Sequence, residues 1–169
     1  MNRIRRADGK PMHDCSNEKP VVKVKRVDLD LPLPQYKTPG ACGCDLYARV
    51  PEEGQFIGPH ETVVIPCNVI VKIPEGYVGI VAGRSSLPLK TPLIVANGVG
   101  IIDQDFCGES DEIGIVVYNR SDKEYIVRRG DRLGQLLFVQ MTRVLFEEVE
   151  HMDEESRGGY GSTGGYGTL

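Results

Sequence analysis

Between Val21 and Val149 the chain is cut into short β-branched runs by glycine and proline, and hardly any segment sustains a helical period. The runs are Val21–Val27, Thr62–Val64, Val69–Ile73, Tyr77–Ala82, Ile113–Tyr118, Tyr125–Val127, Leu136–Val139 and Val144–Val149. Turn-forming clusters separate them: Pro74-Glu75-Gly76, Asn119-Arg120-Ser121 and Arg129-Gly130-Asp131. Eight or more short strands punctuated in this way predict an all-β fold, either a closed barrel or a jelly-roll-like sandwich. Strand order stays open, because alternation says which face a side chain takes and not which strand lies beside it.

With 169 residues, 40% of them hydrophobic, the chain has apolar material for one core and one domain. The expected organisation is an arm over residues 1–20, a β domain over 21–150 and a Gly/Tyr-rich arm over 151–169. Arg3, Arg5, Arg6 and Lys10 make the first arm basic, as a solvated tail or a targeting segment. The formal net charge is -4, so no summed basic field draws the protein to nucleic acid or to an anionic membrane. A polyanionic ligand therefore needs locally placed arginines. Cys15, Cys42, Cys44, Cys67 and Cys107 are odd in number and do not form a disulfide framework, and no secretory apolar segment precedes them. A cytoplasmic or other intracellular, non-secreted location is expected. The longest apolar runs fall well short of the ~20 residues that span a bilayer.

Two stretches offer chemistry. In Gly98-Val-Gly-Ile-Ile-Asp-Gln-Asp-Phe-Cys-Gly108, two glycines precede an apolar pair and then Asp103 and Asp105. On an extended chain a spacing of two puts both carboxylates on one side. A carboxylate in a partly buried hairpin can hold a water and accept its proton; the plain alternative is a turn in which acids cap loose N–H groups. Gly83-Arg84-Ser85-Ser86, at the end of a predicted strand, supplies a guanidinium fork, two hydroxyls and backbone N–H groups that suit phosphate oxygens, a set also common in ordinary surface loops.

Other motifs fall away. Gly159-Tyr-Gly-Ser-Thr-Gly164 spells a dinucleotide fingerprint, but too few residues follow for the helix such a site requires, and no P-loop sequence is present. Cys42-Gly43-Cys44 is too tight for a zinc knuckle, and His13, His60 and His151 are scattered. The acids Glu147, Glu148, Glu150, Asp153 and Glu154 read as a solvated run before a magnesium-binding helix.

Taken in order, five segments resemble the motifs of the trimeric deoxyuridine triphosphatase family. They are Pro39-Gly-Ala-Cys-Gly-Cys-Asp-Leu-Tyr47, Gly83-Arg-Ser-Ser-Leu87, Asn97 to Gly108, Arg129-Gly-Asp-Arg-Leu-Gly-Gln-Leu-Leu137 and Arg157-Gly-Gly-Tyr-Gly-Ser-Thr-Gly164. The resemblance implies a jelly-roll-like distorted β-barrel in a homotrimer, each active site drawing on neighbouring subunits, and hydrolysis of dUTP to dUMP and pyrophosphate. It implies that Asp103 accepts a proton from the water attacking the α-phosphorus and that Asp45 orders the water and metal shell. Asn97 and the backbone around Gly100 and Ile102 would read uracil, and Phe106 would lie under the deoxyribose. Arg84, Ser85, Ser86 and Gln135 would bind phosphate oxygens, Tyr160 would stack on the base with Gly161 beside it, and Arg157, Ser162 and Thr163 would reach the terminal phosphate. Mg²⁺ would be carried by the substrate's phosphates and waters, without a protein cage.

The chain departs from the family pattern at three places. Phe106 replaces the usual Tyr, extra residues occur around Glu109-Ser-Asp-Glu112, and Arg157 is only three positions before Tyr160. A dCTP deaminase of the same fold, or a nucleotide-gated regulatory protein with little catalysis, is the alternative reading.

Overall fold

The computed structural model describes residues 19–158. Eleven strands and one helical turn appear among them, in the order β1 (Lys23–Arg26), β2 (Cys44–Asp45), β3 (Gln55–Ile57), β4 (Thr62–Pro66), β5 (Val69–Lys72), β6 (Tyr77–Gly83), α1 (Leu87–Lys90), β7 (Leu93–Val95), β8 (Val99–Ile102), β9 (Gly114–Asn119), β10 (Tyr125–Val127) and β11 (Gly134–Gln140). All pairings are antiparallel. They build a four-stranded sheet ordered β2-β11-β6-β8, a three-stranded sheet ordered β4-β9-β7, and the pairs β1-β5 and β10-β3. This is the all-β, jelly-roll-like architecture expected from the punctuated runs.

The alternation that predicted strands also fills the core. Along β9, Ile115, Val117 and Asn119 point inward while Gly114, Val116 and Tyr118 are partly exposed. Ile115 and Val117 join Ile57, Ile65, Leu93, Ile113, Val127 and Leu136 in one apolar cluster sealed from water. In β5, Val69, Ile70 and Val71 are all buried, the mark of a strand covered on both faces. Glycine is required at one sharp corner: Gly54 has φ +94, and a Cβ there would stand 2.6 Å from Ile126 Cγ2 and 2.9 Å from the Val127 carbonyl oxygen.

The segment Val144–Val149 does not form the strand that its composition predicts. It is extended chain without a ladder partner, with Leu145 and Phe146 almost wholly exposed. Backbone hydrogen bonds and not side-chain propensity make a strand, and none of the described strands pairs with this segment. The short strands β2, β3, β7 and β8 lie outside the β-branched runs, and α1 carries Pro88 in its first turn, where a missing N–H costs no helical bond.

The additional residues after Gly108 are pinned to the barrel. Glu112 takes a two-pronged ion pair from Arg49, with Nε at 2.8 Å and Nη2 at 2.5 Å, and accepts the Asn68 backbone N–H at 2.7 Å. Lys25 pairs with Glu109, and Asp111 turns back to accept the Gly108 N–H. Asn68, fully buried at φ +69, completes the knot by accepting the Asp28 N–H and donating to the Asp28 carbonyl. Replacing it by Ala orphans both Asp28 groups, and a loss of about 1–3 kcal/mol in urea unfolding is expected.

Candidate active site

The only buried carboxylate among the described residues is Asp45, on β2. The two-residue β2 ends its sheet but is held from both sides: Asp45 donates its N–H to the Gln35 carbonyl at 3.1 Å and pairs with Gln135 on β11. Its carboxylate serves two cations from different loops. Arg84 Nε lies 3.2 Å from Oδ1, and Arg132 Nη1 donates to Oδ2 at 2.8 Å. Two guanidinium groups around one carboxylate leave a local excess of positive charge at the end of an otherwise acidic chain, where anionic oxygens are favoured.

The sheet register places the other groups. Gln135 is the cross-strand partner of both Asp45 and Ala82, so the three side chains share one face. Gly43 leaves room for that glutamine, because a Cβ there would stand 2.7 Å from Gln135 Oε1. Arg84 follows the last residue of β6, its N–H bonded to the Leu133 carbonyl at 3.0 Å. Ser85 and Ser86 form the turn into α1, with Ser85 exposed and Ser86 partly so. Burial raises the thiol pKa of Cys44, beside Asp45, and its Sγ donates to the Leu136 carbonyl at 3.2 Å. The first, second and fourth motif segments thus converge on one rim: Gly43, Asp45, Arg84, Arg132 and Gln135.

The third segment runs away from that rim. Asn97 is exposed in the turn before β8, where Gly98 takes φ +73. Gly100 faces Val81 and buried Ile102 faces Gly79. Asp103 comes one residue later, so at about 3.3 Å per residue it lies roughly 20 Å along β6 from Arg84 of the same chain. β7 and β8 belong to different sheets, so Asn97-Gly98 is a corner between sheets. Two expectations fail further along. Asp103 and Asp105 are not aligned on an extended strand, since the chain turns between them: Phe106 N–H reaches the Asp103 carbonyl at 3.3 Å and Gln104 Nε2 reaches the Tyr77 carbonyl at 2.9 Å. Period-two logic holds only while the backbone stays extended. Asp103 is exposed rather than partly buried, and Phe106 is also exposed.

Arg157 is exposed near the end of the described residues. Tyr160, Gly161, Ser162 and Thr163 lie outside them. Within the described residues, no three His, Cys, Asp or Glu side chains gather as a metal site, and no helix is long and apolar enough to cross a membrane.

The dUTPase family model matches residues 30–164. The deoxyuridine 5'-triphosphate nucleotidohydrolase of Dictyoglomus turgidum is 40% identical over 149 residues, covering 85% of this chain and 97% of that protein. The chain belongs to the dUTPase family. The enzyme of the same name from Desulfitobacterium hafniense is 41% identical over 150 residues, with 85% and 97% covered. Among solved structures, the dUTPase of Staphylococcus bacteriophage 80alpha with dUPNHPP superposes with a TM-score of 0.75 at 25% identity, over 86% of this chain and 99% of that one. A mutant dUTPase of phage phi11 of S. aureus, described for its coordination of a structural Mg(II) ion, gives 0.70 at 24% identity over 80% and 100%.

Within this dUTPase-family chain, sequence reasoning missed Arg132 and Gln104. The signal for Arg132 was its place three residues before Gln135 in the fourth motif segment. Nothing in the sequence foretold that Gln104 would turn back to β6.

Proposed function

We propose that this chain hydrolyses dUTP to dUMP and pyrophosphate, water attacking the α-phosphorus with Asp103 accepting its proton. The observation that carries the reading is the rim at the end of β6 and β11, where the buried Asp45 carboxylate holds Arg84 and Arg132 beside Gln135 in a dUTPase-family chain. Guanidinium N–H groups, the Ser85 and Ser86 hydroxyls and the Gln135 amide are donors or neutral dipoles, the set that stabilises charge building on phosphate oxygens. Backbone groups around Gly100 and Ile102, with Asn97, read the uracil edge; Phe106 packs on the deoxyribose and gives a ribose hydroxyl no partner. Arg157, Tyr160, Gly161, Ser162 and Thr163 supply contacts from the C-terminal arm.

The active unit is a homotrimer. A single chain keeps Asp103 and its own Arg84 about 20 Å apart, too far to act on neighbouring phosphates, so each site takes Asp103 from one copy and Arg84 from another. Val144, Leu145 and Phe146 are also exposed, without cover among the described residues, and fit burial against a second copy. Mg²⁺ enters with the triphosphate. Arg132 donates to one Asp45 oxygen and the Arg84 guanidinium lies against the other, so this residue acts on the cation's water shell and not as a direct ligand.

One assay tests the reading: purified protein with Mg²⁺ and, separately, dUTP, dCTP, dTTP or UTP, with products identified. Pyrophosphate from dUTP alone is expected. Ammonia from dCTP would assign the chain to deamination, and binding without products would make it a nucleotide-gated regulator.

A further inference from the structure

Asp45 is shared unevenly between its two arginines, and that division bears on how Arg84 meets its ligand. Arg84 touches the carboxylate through Nε at 3.2 Å, whereas Arg132 engages the other oxygen at 2.8 Å. Arg132 also holds Arg84 by its backbone: the Arg132 carbonyl accepts Arg84 Nη1 at 3.5 Å, and the next carbonyl, of Leu133, accepts the Arg84 N–H at 3.0 Å. With the Arg132 guanidinium seated on Oδ2, Arg84 could reach that oxygen only by crowding a like charge, so it keeps to Oδ1. Without Arg132, Oδ2 would be a buried acceptor lacking a partner, and the favoured remedy is for Arg84 to turn and bind both oxygens fork to fork. Its terminal N–H groups would then face the protein.

We infer that Arg132 is a positioning residue for phosphate binding: by occupying Asp45 Oδ2 it restricts Arg84 to a one-pronged contact and leaves the outer edge of that guanidinium for the substrate's phosphates. This rests on the reading of Arg84 as a phosphate ligand. Asp45 becomes the hinge through which Arg132 acts, and the arginine pair keeps the rim cationic despite the carboxylate between them.

The test is a binding cycle on the full-length protein, with a non-hydrolysable dUTP analogue and dUMP as probes. Arg132→Met is expected to weaken analogue binding about tenfold while dUMP affinity stays within about twofold, because dUMP lacks the outer phosphates. Arg132→Lys, which keeps one donor for Oδ2, should recover part of the loss. In the Asp45→Asn background, Arg132→Met should add little, since no second carboxylate oxygen then competes for Arg84. Equal losses in both backgrounds would overturn the inference in favour of direct contact or bulk charge. Unchanged analogue binding would overturn it too, as would parallel losses for both probes with a lowered Tm. Arg84→Met serves as the control for the underlying reading: if that variant binds the analogue normally, the phosphate assignment itself fails, whatever Arg132 does.

Discussion

Asp103→Asn is expected to bind dUTP with near-normal affinity and to turn it over at least ~10²-fold more slowly, a rise of about 2.7 kcal/mol in the barrier. Asparagine matches the shape of the carboxylate and keeps a hydrogen-bonding oxygen, but it cannot accept the proton of the attacking water. The substitution should not disturb the fold, because Asp103 is exposed and holds its turn through its carbonyl, which accepts the Phe106 N–H. The effect therefore belongs in kcat, with the substrate dissociation constant unchanged. Single-turnover kinetics alongside equilibrium binding separate the two quantities. Normal turnover in this variant would remove Asp103 from the reaction.

Deleting residues 159–169 is expected to lower kcat/KM by roughly 10- to 100-fold, the scale of losing one aromatic stacking contact of about 1–3 kcal/mol, with the loss of the Ser162 and Thr163 hydroxyls adding to it. The deletion removes Tyr160 and Tyr166, and Tyr160 is the ring proposed to stack on the base. The deletion keeps every member of the core cluster found among the described residues, so thermal stability should be nearly unchanged. Sedimentation of the truncated protein should still give the oligomer. If the truncated chain dissociates into monomers, the arm's role is in assembly and its proposed contacts with the ligand are wrong.

The sequence was most legible where local physics sufficed. Tyr125–Val127 emerged as a strand with its predicted bounds, and Thr62–Val64, Val69–Ile73 and Tyr77–Ala82 shifted by one or two residues. Each has β-branched residues and a turn signal at its edge. Val144–Val149 has the same composition and failed, because a strand needs an edge to pair with and composition cannot reveal one. The site divides in the same way. Residue chemistry nominated Arg84, and the family resemblance nominated Gln135 and Asp45, yet only the β2-β11-β6 register puts them on one rim. The grip of Arg132 on Asp45 spans 87 positions in the chain, beyond any local pattern. The supposed alignment of Asp103 with Asp105 failed because a turn intervenes where the alternation assumed extended chain.

The central claim is that a working site combines Asp103 and Arg84 from different copies of the chain, and subunit mixing tests it most directly. Asp103→Asn and Arg84→Met are each purified, shown to be nearly inactive, then unfolded together at equal concentrations and refolded. If the two residues meet only across copies, about one quarter of the sites in randomly mixed oligomers regain both native side chains, and dUTP hydrolysis should return to about that fraction of the unmutated protein. If both residues act from one chain, every site in the mixture lacks one of them, and activity that stays at the level of the separate variants after verified mixing would contradict the account.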